Sequence, residues 1–105
     1  MTLAAPELID VEVTSVLRRA VRAGLQPERR ARLALVDLDA LPLYRAAHRP
    51  LLKRCWELRD NLSVDDATYV ALAEQLDVPL VTGDVRLTRA SGTRCRIEVL
   101  GPVGR

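Results

Sequence analysis

The sequence predicts an α/β domain, on three observations. Apolar residues recur at helical spacing up to about residue 60. A capped and almost wholly apolar helix then runs into the short apolar segment 78–82, which reads as a buried parallel strand. A last segment, 96–100, alternates apolar and polar residues as a strand does. Only two strands are clear, where an α/β sheet normally has more. That shortage hints at sheet structure missing upstream.

The first helix spans residues 6–23, with Ile9, Val13, Val16, Leu17 and Ala20 as its apolar stripe, Pro6 in its first turn and Gly24 at its stop. A second helix covers 27–41, with Leu33, Val36 and Leu41 inward, and Pro42 follows it. A third covers 49–60 and carries Leu51, Leu52, Cys55, Trp56 and Leu58. Ser63 and Asp66 form a capping signature for the fourth, which ends near Leu76 and is apolar on most sides, as deep burial requires. Gly83-Asp84 ends the strand at 78–82, residues 85–89 make one or two helical turns, and 101–105 are a tail.

With 105 residues the chain suits one domain with a modest core. The chain is 49% apolar and has no Phe, so that core is built from Leu, Val, Ala and Ile. This composition excludes disorder. No apolar run approaches the roughly 18 residues of a membrane span, and the first ten residues do not resemble a signal peptide. The expectation is a soluble, cytoplasmic protein without a membrane partner. Cys55 and Cys95 are far apart and lack a CxxC partner, so both are expected reduced and metal-free. The net charge is +2, and Lys53 is the only lysine among many arginines. Arginine suits phosphate, but an Ala-, Arg- and Leu-heavy chain equally reflects nucleotide bias. The charge permits RNA binding without demonstrating it.

Three carboxylates stand where chemistry can use them. Glu12 falls about 60° from Ile9 and about 40° from Val16 on a helical wheel, half turned toward the core. Asp66 lies in the first turn of the fourth helix; Asp65 beside it points about 100° away. Asp84 follows the C-terminal end of a parallel strand, where open α/β sheets bind ligands. Carboxylates gathered from separate elements repel one another, and a hard divalent cation relieves the repulsion. Such a cation can activate water and stabilise phosphodiester cleavage without any histidine. The only histidine, His48, is placed in a polar loop between helices. Each acid also has a purely structural alternative. Glu12 can serve as a boundary residue, Asp66 as a helix cap, and Asp84 as a turn former. Spacing alone leaves these open.

The segment Asn61-Leu62-Ser63-Val64-Asp65-Asp66-Ala67-Thr68-Tyr69-Val70-Ala71-Leu72-Ala73-Glu74 resembles the signature of VapC-type PIN domains, an acid directly before Ala-x-Tyr-Val-Ala-Leu-Ala. Leu80-Val81-Thr82-Gly83-Asp84-Val85-Arg86-Leu87 is similar to the family's strand ending in Thr-x-Asp and its short basic–leucine turn. The stretch from Pro6 to Arg19, containing Glu12, resembles the helix with the family's second acid. The three motifs occur in order and cover nearly the whole chain.

This resemblance implies a Rossmann-like, three-layer α/β/α sandwich with a parallel sheet, here a single domain over residues 1–105. It implies endoribonuclease activity on single-stranded regions of tRNA or rRNA, with Mg²⁺ or Mn²⁺ as cofactor. It also implies a toxin role, a homodimer, and a VapB-like antitoxin partner. Carried over by motif, Glu12, Asp66 and Asp84 are metal-binding and catalytic acids, and Thr82 and Ser15 are supporting polar groups beside them.

Two departures stand out. Asp65 occupies a position that is often Tyr in the family. The family's opening strand with its first aspartate, the following helix and the short strand after it have no counterpart, and the chain is expected to enter its first helix from a loop. Loss of that central strand would expose Leu80, Val81 and their neighbours. The alternative function is a catalytically inactive PIN domain that serves as a protein-interaction module.

Overall fold

A computed structural model describes residues 3–100. The expected tail at 101–105 lies outside the described residues. The chain divides into two compact units, one up to Ala47 and one from His48. Both are α/β with parallel strands.

In the first unit, β1 (Leu3–Pro6) pairs in parallel with β2 (Leu43–Ala46), Leu3 opposite Leu43 and Pro6 opposite Ala46. Two helices connect them, α1 (Leu8–Arg22) and α2 (Glu28–Ala40). The expected loop before α1 is therefore corrected: a strand precedes the helix. Pro6 likewise closes that strand instead of opening α1. Proline has no N–H to donate, and the ladder bond there comes from Glu7 N–H to the Ala46 carbonyl at 2.8 Å, so Pro6 costs the pair nothing.

The end of α1 follows the sequence reading closely. Gly24 takes φ +74°, donates to the Val21 carbonyl at 3.1 Å, and lets Leu25 N–H reach the Ala20 carbonyl at 2.9 Å. This pair of bonds satisfies carbonyls that the last turn would otherwise leave open. Ile9, Glu12, Val13, Leu17 and Ala20 are half-buried, whereas Val16 is exposed. The inward face of α2 differs from expectation. Ala31 is buried and Ala34 and Leu38 are half-buried, while Leu33, Val36 and Leu41 are exposed. The spacing 31, 34, 38 is a helical face too, and its alanines allow a closer approach than the bulkier stripe does. Arg45 ties the unit together. Its Nε donates to both Asp10 oxygens, at 3.0 and 2.8 Å, and its Nη2 donates to the Leu38 carbonyl at 2.7 Å.

The second unit begins with a 3-10 turn (Arg49–Leu51) and α3 (Leu52–Glu57). His48 is exposed at the start of that turn, but the expected loop between helices holds the strand β2, so His48 follows a strand. Leu51, Cys55 and Leu58 are buried at i, i+4, i+7. Leu52 and Trp56, grouped with them in sequence, instead face solvent, with the Arg59 guanidinium 4.4 Å over the indole ring.

Then comes α4 (Val64–Leu76), where Ala67, Thr68, Val70, Ala71, Leu72 and Ala73 are all buried. Thr68 satisfies its hydroxyl by donating to the Val64 carbonyl at 2.7 Å. The helix stops at Asp77, held at φ +54°, a conformation Asp tolerates better than most residues. β3 (Leu80–Thr82) follows, then a 3-10 turn (Val85–Arg89), then β4 (Ile97–Val99) parallel to β3 with Leu80 opposite Ile97. Of the two residues expected to be exposed, Val81 is, at 55%, but Leu80 is buried, because β3 packs against α4 there. No described helix is long and apolar enough to cross a membrane. Cys55 and Cys95 are both free thiols, and burial pushes each thiol's pKa up.

An ion pair fastens the C-terminal half of α4. Arg54 donates from Nε to Glu74 Oε1 at 2.7 Å and from Nη2 to Oε2 at 3.2 Å, with 18% and 11% of the two side chains exposed. Arg54 also reaches the Gly92 carbonyl at 2.6 Å, and Glu74 Oε2 accepts from Arg94 N–H at 2.7 Å. Burial alone would push the Glu74 carboxyl up, but Arg54 and the Arg94 N–H together outweigh it and hold it below its ordinary value. A lowered carboxylate pKa stabilises the fold above about pH 4.3, and the benefit is lost as pH falls through the folded value. Glu74→Gln should therefore cost roughly 1.5–3 kcal/mol at pH 7, with the gap from the parent closing in acid. Urea denaturation at neutral and acidic pH measures both; a gap unchanged in acid would exclude the carboxylate charge as its source.

Candidate active site

The N-terminal end of α4 is built by Ser63. Its Oγ accepts the Asp66 N–H at 3.2 Å, from an extended backbone (φ −62°, ψ 157°), which is the geometry of an N-cap. The cap fixes the first turn, and Asp66 is thereby half-buried beside the core while Asp65 is exposed. Of the two adjacent acids, the one singled out by the wheel is the one turned inward.

Asp84 sits one residue beyond Gly83 at the C-terminal end of β3 and begins the 3-10 turn. Its backbone N–H donates to Thr82 Oγ1 at 3.0 Å. Its own carboxylate caps the turn, accepting the Arg86 N–H at Oδ1, 2.9 Å. The Arg86 side chain closes on the same group, with Nε 3.0 Å from Oδ1 and Nη2 2.8 Å from Oδ2. Arg86 hydrogen bonding holds the Asp84 carboxyl below its usual range. Asp66 acts electrostatically on this same guanidinium. Asp84 pairs with this guanidinium directly, whereas Asp66 adds only a weaker, through-space attraction.

Thr82 stands in the same unit and supports Asp84 directly. Glu12 and Ser15 lie three residues apart, both half-buried, on α1 of the first unit. Among the described residues, no three His, Cys, Asp or Glu side chains form a ready ligand group. Asp66 and Asp84 nevertheless fit a hard cation of the Mg²⁺ kind. Such an ion is commonly held by one or two carboxylates and completed by water and substrate phosphate, and a guanidinium already stands on one of these two as a stand-in cation. Sequence reading missed Arg86 as a member of the site. Its only signal was its place in the basic–leucine turn after Asp84. A cleft of about 510 Å³, lined by Glu74, Asp77, Pro79, Arg94, Cys95 and Arg96 among others, includes none of the candidate acids.

An α/β fold with parallel strands and an acid at the C-terminal end of a strand defines a class of ligand-binding domains. Comparison with known proteins narrows it. The PIN domain family matches residues 2–92, across both units. Ribonuclease VapC1 of Mycobacterium tuberculosis is 49% identical over 97 residues, 91% of this chain and 73% of that protein. Ribonuclease VapC9 of the same species is 41% identical over 98 residues (93% and 77%), and ribonuclease VapC12 is 38% identical over 99 residues (94% and 77%). The chain belongs to the PIN domain family, among its VapC-type ribonucleases.

Ser63→Ala removes the cap and leaves the Asp66 N–H without its acceptor. It should destabilise the second unit by about 1 kcal/mol, and Ser63→Asp should restore most of that. Urea denaturation of the two variants tests it; an Ala variant as stable as the parent would show that the cap does not fix this turn.

Proposed function

We propose that this chain is a metal-dependent endoribonuclease, the toxin of a toxin–antitoxin pair, which cleaves single-stranded regions of tRNA or rRNA in the cytoplasm. The observation that carries the reading is the Asp84 carboxylate at the C-terminal end of β3, neutralised by the Arg86 guanidinium, on which Asp66 also exerts a weaker attraction. The names of the relatives, ribonucleases throughout, support RNA as substrate. The cofactor is Mg²⁺ or Mn²⁺, the inhibitor a VapB-like antitoxin, and the working form a homodimer of one PIN domain per chain, as the family resemblance implies.

Asp66 and Asp84 would hold the cation, with Glu12 as the third acid on the strength of its motif. A divalent cation there supplies a Lewis acid for the attacking water and for the charge that builds on the scissile phosphate. The protein's own part is positional. Ser63 fixes the turn that carries Asp66, Thr82 Oγ1 accepts the N–H of Asp84, and the Arg86 N–H orients the Asp84 carboxylate. Ser15, one turn from Glu12, would lend a hydroxyl beside it.

The test is cleavage of single-stranded RNA by the purified chain with Mg²⁺ or Mn²⁺, beside an EDTA control and Asp66→Asn. Loss of a group that holds the metal forfeits several kcal/mol of transition-state stabilisation, so the variant should lose about 100-fold or more in rate. It should keep its helical circular dichroism, because Asn is tolerated in a first turn. Cleavage that survives EDTA contradicts the reading; an unfolded Asp66→Asn chain makes Asp66 a structural residue first.

A further inference from the structure

The guanidinium of Arg86 covers both oxygens of Asp84, one contact at 3.0 Å and one at 2.8 Å. Those are the oxygens that a divalent cation would use, so at this carboxylate the metal and the guanidinium compete. Both carry positive charge, and close approach of the two would be repulsive as well as crowded. The electrostatic pull of Asp66 strengthens the claim of either cation to the place.

The way Asp84 is held lets one cation leave without loss of the carboxylate's aim. The Arg86 backbone N–H donates to Oδ1 at 2.9 Å, and the Asp84 N–H is anchored on Thr82 Oγ1 at 3.0 Å. These bonds belong to the turn and do not depend on where the Arg86 side chain goes. That side chain is 82% exposed, so it gives up little packing when it swings away. Exposed ion pairs of this kind are weak and are screened by salt. A released guanidinium remains tethered two residues from Asp84, and its planar fork matches two oxygens of a phosphodiester.

We propose that Arg86 is an exchangeable cation at this site: it occupies Asp84 before metal arrives, and once displaced it presents its guanidinium to an RNA phosphate. The inference rests on the metal-dependent reading above and assigns the free and the loaded site different partners for one side chain. Arg86 is then a positioning residue for substrate and a brake on premature metal binding. A guanidinium serving only to cap the 3-10 turn would affect stability and neither ligand.

The experiment measures Mn²⁺ affinity by titration calorimetry on the purified chain without RNA, for the parent, Arg86→Gln and Asp84→Asn. Because an exposed pair contributes little, Arg86→Gln should tighten Mn²⁺ binding by only about two- to fivefold. A second arm follows a labelled, 2′-O-methylated single-stranded oligonucleotide at saturating Mn²⁺, where Arg86→Gln should bind severalfold more weakly and Arg86→Lys should recover part of the loss. Mn²⁺ affinity unchanged or weaker in Arg86→Gln, with binding lost in Asp84→Asn, overturns the exchange and leaves the metal reading standing. Equal oligonucleotide affinity in Arg86→Gln and the parent overturns the phosphate role. Mn²⁺ binding that is absent from the parent, or unaffected by Asp84→Asn, overturns both the exchange and the metal reading.

Discussion

The burial of α4 is the constraint on which the second unit depends. Its small residues, Ala67, Ala71 and Ala73, with Thr68 and Val70, allow packing on several sides at once. Leu51, Cys55 and Leu58 bring the preceding turn and α3 against it, and Leu80 carries β3 onto it. Each buried Leu or Val contributes on the order of 1.5–3 kcal/mol, so the helix has little freedom to shift. The Arg54–Glu74 pair then fastens its C-terminal half, and Ser63 fastens its start. A rigid helix with a fixed first turn gives Asp66 a fixed position.

Electrostatics supplies the second constraint. A carboxylate held at the end of a strand is stabilised by positive charge beside it. In this chain Arg86 supplies that charge from within the turn that Asp84 itself caps. The arrangement separates two tasks often confused. Backbone bonds aim the carboxylate, and an exposed, replaceable side chain neutralises it. Arg54 and Glu74 show the contrasting case, where the pair is mostly buried, the hydrogen bonds reach three chain segments, and the role is structural.

Elements with a strong local signal were legible in the sequence. The capped α4, the apolar β3 and the alternating β4 all declare themselves through period and cap, and the position of Asp84 follows from β3. The two strands of the first unit were not legible. Leu-Ala-Ala-Pro and Leu-Tyr-Arg-Ala have no β-branched residue, and one carries a proline, so pairing and not propensity makes them strands. The inward face of α2 was misassigned because hydrophobicity favours Leu33 and Val36, whereas close helix approach favours Ala31 and Ala34. Trp56, named with the apolar residues of the third helix, is exposed because the buried face runs through Leu51, Cys55 and Leu58. Of the site, the acids were legible through their motifs. Arg86 was not, because nothing in its spacing says that its side chain folds back onto the residue two before it.

The account stands on Asp66 and Asp84 sharing one cation. Paramagnetic broadening by substoichiometric Mn²⁺ in amide NMR spectra tests this most directly, since it reports where the ion sits without any need for turnover. The account predicts selective loss of signals around Asp66 and from Thr82 to Arg86, reversed by EDTA. Broadening centred instead on the cleft beside Glu74 and Cys95, or spread evenly over the surface acids, would contradict it.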